Sequence, residues 1–136
     1  MTTLAADLPQ PQESPINAPM LAAWRDEGAL ALQRCEVCDR TVFYPRPMCP
    51  HCHAMRLVWT RVSGTGRIVS YSRIHRGLPP VFRADAPIVL AEIALAEGSL
   101  MIARVITSGE VHTGMPVRLV PPREAGRYPL PTFEPA

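Results

Sequence analysis

The chain has 136 residues, 47% of them hydrophobic, with 14 basic and 12 acidic side chains and a net charge of +2. That length leaves room for one modest core plus a small appended module. No apolar run approaches membrane-spanning length, so a soluble, cytoplasmic protein is expected and a membrane partner is not.

Residues 1–16 (MTTLAADLPQPQESPI) are polar, proline-rich and aperiodic, which predicts a disordered lead. Asn17 is placed to cap a helix that carries Pro19 in its first turn, where a missing N–H does no harm. Met20, Leu21 and Trp24 give that helix an apolar stripe, and Gly28 stands where it should end. Trp24 is then either a packing anchor or a side chain offered to a partner groove.

Leu30–Cys35 and 41–44 read as short strands on either side of a first Cys-x-x-Cys turn. Pro45-Arg46-Pro47 forces an extended approach to the second. The four cysteines of the chain stand as Cys35-Glu-Val-Cys38 and Cys49-Pro-His-Cys52, with ten residues between the pairs. Each pair forms a tight knuckle with two thiolates on one side, and two knuckles close a tetrahedron around a soft cation. The expected ion is a structural zinc, with tetrahedral thiolate iron as the alternative, since Cys-Pro-x-Cys suits both. Four thiolates leave no open position for catalysis. Disulfides are not expected, because the N-terminal residues lack a basic start followed by an apolar run. His51 and His53 flank Cys52 and read as exposed knuckle side chains.

From Leu57 the pattern changes to repeated strands rich in Ile and Val: Leu57–Val62, 67–76, Ile88–Leu95, 100–106 and 117–120, punctuated by glycines. Five such strands suit a small closed barrel, with the OB-fold as the leading candidate. The single visible helix excludes βαβ architectures. The domain layout is therefore a lead (1–16), a helix plus metal ribbon (17–56), a barrel (57–121) and an extended C-terminal arm (122–136). With five prolines in residues 121–136, the arm is expected to form neither ladder nor helix; it is either disordered or docks Tyr128 and Phe133 on something. A hairpin across Glu97-Gly98-Ser99 would place Glu92 opposite Arg104, pairing the only charges in two otherwise apolar strands.

Charge is unevenly distributed. Eight arginines and no acid lie between Arg40 and Ala84. A one-signed stretch points to an anionic partner. The Pro-rich connection 77–86 would bring Phe82 and Arg83 beside Arg67, Arg73 and Arg76, an edge suited to phosphates through bidentate contacts and to a stacked base. All 14 basic residues are arginine and lysine is absent, so the missing acids carry more weight than the abundance of guanidinium. His75 and His112 lie in no triad motif, and there is no glycine-rich phosphate loop, His-Glu-x-x-His or paired-carboxylate signature. No catalytic residues are therefore assigned.

Together these features resemble the family known as domain of unknown function thirty-five. The match runs through an N-terminal helix with a Trp, "LALQRCEVCDRTVFYPRPMCPHC", "LVWTRVSGTGRIVSYSRIHR", a Pro-rich loop with Phe, "PIVLAEIALAEG", "GMPVRL" and "LPTFEP". The resemblance implies a rubredoxin-like zinc ribbon followed by an OB-fold. It also implies an accessory subunit of thiolase-like, aldolase or hydratase enzymes that act on acyl-CoA. On that reading Trp24 and Phe133 would help dock the enzyme, while the arginine edge with Phe82 would meet the nucleotide end of CoA. The competing reading is a single-stranded nucleic-acid-binding OB-fold protein, which the sparse aromatics (Tyr71 and Phe82 between residues 60 and 127) disfavour.

Overall fold

The computed structural model describes residues 8–126 and 128–136. It is mainly β: one helix, a three-stranded ribbon sheet and a closed five-stranded barrel. Helix α1 (Ala18–Glu27) carries its proline at the start and ends at Gly28 in the left-handed region (φ 66°). The N–H groups of Gly28 and Ala29 close onto Trp24 and Ala23 carbonyls. Asn17 precedes the helix but does not cap it. Its side chain instead accepts from the Ser14 N–H at 2.8 Å and donates to the Gln12 carbonyl and the Tyr44 hydroxyl. It thus ties the lead to the ribbon. Part of the lead expected to be disordered, residues 1–7, lies outside the described residues. Residues 8–16 run irregularly along the fold, with Leu8 buried and Glu13 paired to Arg25 at 2.7 Å.

The ribbon sheet has the order β2 (Thr41–Val42), β1 (Leu30–Cys35), β3 (Leu57–Val62), all antiparallel. The barrel joins β4 (Thr65–Ile74), β5 (Ile88–Leu95), β6 (Leu100–Val105), β8 (Thr132–Pro135) and β7 (Pro116–Val120), closing between β7 and β4. Two expectations change. Leu57–Val62 pairs along all of β1 and belongs to the ribbon, not the barrel. The fifth barrel strand comes from the C-terminal arm, where β8 runs parallel to β6 and antiparallel to β7. Five prolines did not prevent this. Pro129 and Pro131 precede the strand and Pro135 ends it, opposite Val117, so the strand keeps the N–H groups of Thr132, Phe133 and Glu134.

Trp24 and Phe133 are corrected with it. Their side chains are 1% and 0% exposed, so neither is available to a partner. Phe133 fills the barrel interior, and Trp24 packs on Val120 and Ala125 while its indole N–H donates to the Val120 carbonyl at 2.9 Å. The main core is continuous across the modules: Met20 and Leu21 of α1 and Leu30 and Leu32 of β1 join Ile68, Ile93, Val105 and Phe133.

The β5–β6 hairpin forms with a different register from the expected one. The loop is Ala96-Glu97-Gly98, closed by the Gly98 N–H on the Leu95 carbonyl and the Leu95 N–H on the Ser99 carbonyl. Gly98, at φ 106°, takes the last loop position, where a positive φ is needed, rather than the centre. Glu92 therefore faces Ile102, and Arg104 faces Leu90. The two charges share the outer face without being opposite each other. Ser99 turns inward instead, its hydroxyl 2.6 Å from that of Thr41 in the ribbon.

Because Phe133 is core, Phe133→Ala is expected to lower stability by about 3–5 kcal/mol. Urea unfolding with an unchanged denaturant slope would measure the loss. A variant as stable as the parent would show that β8 does not close the barrel.

Candidate metal centre and flanking faces

The two knuckles are built alike. In the first, Cys35 N–H donates to the Arg40 carbonyl and Asp39 N–H to the Cys35 carbonyl; in the second, Cys49 N–H donates to Ala54 and His53 N–H to Cys49, all at 2.9 Å. Asp39 and His53 occupy the same left-handed position, φ 64° and 65°. The N–H groups of Val37 and His51 each point at the first sulfur of their knuckle, at 3.4 Å. Sequence pattern and backbone repeat together.

This places all four sulfurs within 4.8 Å of one another, with Cys35–Cys52 at 3.6 Å and Cys38–Cys49 at 3.7 Å. A tetrahedron with metal–sulfur bonds of 2.3 Å has edges of about 3.8 Å, so the set fits a thiolate-bound cation. The separations exceed a disulfide bond by more than an ångström, and all four cysteines are free. The thiols ionise unequally. The N–H of Cys38 is the main influence holding Cys35 down at about 7, against burial. At Cys52 the Ala54 N–H lowers the value, but burial and the three neighbouring sulfurs together push it up to about 11. A bound cation removes that conflict by stabilising four thiolates at once. His51 and His53 are exposed, and the cluster is complete without them.

The arginine-rich stretch folds so that outside acids reach part of it. Glu27 binds Arg61 at 2.7 Å, and this bond holds its carboxyl below the usual range. Glu36 lies 3.7 Å from Arg56. Arg67, Arg73, Arg76 and Arg83 make no ion pair among the described residues. Arg67 donates to the Gly114 carbonyl and Arg73 to that of Gly109, so both lean over the connection before β7. Six residues separate them on β4, about 20 Å along the strand, so they cannot converge on one phosphate. The Pro-rich connection forms a 3-10 helix, Pro80–Asp85, and Phe82 is half-buried against Tyr128 with ring centroids 5.8 Å apart. It does not stand open beside the guanidiniums.

A further feature escaped the sequence reading. Tyr128 also carries Arg104, whose guanidinium carbon sits 4.1 Å from the ring centroid. Arg104 borders an apolar groove of about 300 Å³ between β6, Phe43 and Tyr44 of the ribbon and Leu130 of the C-terminal segment. The available signal was the presence of Leu90, Leu100 and Ile102 on the outward parity of β5 and β6, where polar residues are usual.

Residues 25–58 match the family described as the ChsH2 rubredoxin-like zinc ribbon domain, and residues 59–120 match the ChsH2 C-terminal OB-fold domain. A DUF35 domain-containing scaffold protein of Methanocaldococcus jannaschii is 32% identical over 107 residues, covering 74% of this chain and 75% of that one. The chain belongs to the DUF35 family. Among solved structures, a chain of the "Ltp2-ChsH2(DUF35) aldolase" superposes with a TM-score of 0.75 at 30% identity, covering 93% of this DUF35 chain and 98% of that one. A DUF35-family protein of Sulfolobus solfataricus, 14% identical with a TM-score of 0.65 over 90% and 87% of the chains, shares the fold. A protein of Thermomonospora curvata named as a probable enoyl-CoA hydratase alpha subunit is 33% identical over 109 residues. The match takes in 79% of this chain but only 34% of that relative, so the DUF35 chain corresponds to about a third of it.

For the DUF35 chain, Cys49→Ser is expected to lose the metal and unfold the ribbon over residues 30–60, since metal binding here is also folding energy. Elemental analysis alongside circular dichroism tests this. Folded parent protein without any thiolate-bound metal would refute the site.

Proposed function

We propose that this DUF35 chain is a non-catalytic accessory subunit of an enzyme acting on acyl-CoA thioesters. The enzyme belongs to the thiolase superfamily (an acyltransferase, thiolase or aldolase) or is a hydratase. The observation that carries the reading is the likeness, over nearly the whole of both chains, to a chain of the Ltp2-ChsH2(DUF35) aldolase. The relative named as a hydratase alpha subunit supports a second enzyme class. The metal's role is structural, because four sulfur ligands would complete a tetrahedron and leave no place for substrate, and the match to a zinc ribbon domain supports zinc as the ion. A colourless protein with one zinc per chain agrees with this, whereas visible absorption would point to thiolate iron.

The CoA nucleotide carries a pyrophosphate and a 3′-phosphate, which suit guanidiniums without carboxylate partners. Arg67, Arg73, Arg76 and Arg83 form that edge, and their spread along β4 and the 3-10 helix suits a ligand with separated phosphates. Phe82, packed on Tyr128, holds the 3-10 helix from which Arg83 projects.

The deciding assay compares turnover of the enzyme subunit with and without this chain. The expected result is turnover that depends on the chain, which alone turns over nothing. An isolated enzyme that is fully active and forms no complex on size-exclusion chromatography would sink the accessory reading. Titration of acyl-CoA into Arg73→Ala and Arg83→Ala is expected to show weaker binding by about tenfold, the usual scale for one charge-assisted contact. Unchanged affinity in both would move CoA off this edge. A salt-dependent shift of a random single-stranded oligonucleotide would favour nucleic acid instead.

A further inference from the structure

On the outer face of the barrel, Leu90 and Ile102 lie diagonally across the β5–β6 ladder, with Arg104 and Glu92 at the other two corners. Ile102 is 68% exposed, and Leu100 on the same face is 51% exposed. The alternate residues Met101, Ala103 and Val105 are buried in the core, so the outward apolar ones do nothing for this chain's own packing. They form a ridge between two hollows. One is the 300 Å³ groove walled by Phe43, Tyr44 and Leu130; the other is a more open depression bordered by Tyr71 and Glu92. Among the described residues, Arg104 is the one charged residue lining the groove. It is fixed over Tyr128 and makes no ion pair among the described residues.

We propose that this face docks the enzyme subunit. The groove receives an apolar side chain of the enzyme, and Arg104 receives a carboxylate placed beside it. The inference rests on the accessory reading and assigns it a surface.

Three observations favour a protein occupant. Leu90 and Ile102 border both hollows, so a small ligand in one would leave their other flank wet, whereas a protein surface covers the ridge and both hollows together. Tyr44, Leu130 and Leu90, which wall the groove, are themselves about two-fifths exposed (42%, 42% and 39%), although a small-molecule site encloses most of its ligand. Arg104 sets the charge of the partner: a guanidinium held in place by an aromatic ring selects a carboxylate, and covering it without one would strand a charge.

The test uses the full chain and the thiolase-superfamily or hydratase subunit encoded by a neighbouring gene, each purified separately. Ile102→Glu and Arg104→Glu are each expected to weaken the complex by about tenfold or more, as for central interface residues. Met55→Glu, at a 74%-exposed residue on the ribbon, serves as the control and is expected to leave affinity within about twofold. Metal content and circular dichroism of all three should match the parent, because the substituted side chains lie outside the core. If the parent forms no complex, the accessory reading and this surface fall together. If the parent binds and Ile102→Glu and Arg104→Glu bind equally well, the surface is overturned and the accessory reading stands. Loss at Met55→Glu alone would place docking on the ribbon. A parent dimer that Ile102→Glu dissolves, with enzyme binding intact, would reassign the face to self-association.

Discussion

The four-sulfur cluster sets the position of everything around it. The ribbon has little else to hold it: its own buried cluster is Cys35, Val42 and Cys49, with Cys38, Ala54 and Leu57 packed alongside. Half of that list is cysteine. Binding of a structural zinc by such ligands is worth about 10–16 kcal/mol, comparable with the whole stability of an ordinary domain. One buried and two partly buried aliphatic residues cannot supply as much. A metal bound there would decide whether the knuckles keep their shape, while the rest of the ribbon also rests on Leu30 and Leu32 in the main core.

That clamp acts at a distance because β1 belongs to two structures. Its C-terminal residue, Cys35, is one of the four clustered cysteines; its N-terminal half places Leu30 and Leu32 in the core shared with the barrel. Fixing one end of a six-residue strand therefore fixes the angle at which the ribbon meets the barrel. Other ties reinforce the joint from separate directions. Trp24 bonds to the Val120 carbonyl, Ser99 meets Thr41, and the Glu97 carboxylate accepts the Ser63 N–H at 2.9 Å. The last two come from the β5–β6 turn, so the glycine-set register of that hairpin also positions the ribbon.

Local pattern carried the parts of the fold that local physics decides. The cysteine spacing specifies the knuckles because the turn itself sets the sulfur geometry, and Gly28 ends the helix because a left-handed residue is needed there. The hairpin register and the Asn17 cap are local misreadings; the other misreadings involve partners distant in sequence. Leu57–Val62 looks like any barrel strand until its pairing with β1 is known. The segment around Phe133 looks unfit for a ladder, yet a strand between two neighbours needs only a few N–H groups, and its prolines fall outside them. Read from sequence, Trp24 is also offered to a groove on a partner, but the groove it fills is its own chain's. At the arginine edge, composition correctly marked an acid-free run but could not show that Glu27 and Glu36 fold back onto Arg61 and Arg56. The apolar groove draws on the ribbon, β5, β6 and the C-terminal segment at once, and no single stretch of sequence carries its signature.

The same geometry links the metal to the surface where a partner would sit. Phe43 and Tyr44 follow β2 directly, and β2 is held against β1 by only two residue pairs, Gln33 with Val42 and Arg34 with Thr41. The Tyr44 hydroxyl accepts from Asn17 at 2.9 Å, its carbonyl accepts from Arg46 Nε at 3.0 Å, and Phe43 meets its ring edge-on at 5.4 Å. A two-residue strand does not hold its place alone. It stays because Val42 packs beside Cys35 and Cys49 in the cluster. Loss of the metal would free β2 first, and with it the ribbon wall of the groove, while the barrel wall of Leu90, Ile102 and Arg104 stays in the β5–β6 ladder. A structural metal with no open coordination site can in this way control function, by deciding whether two walls of one surface stand in register.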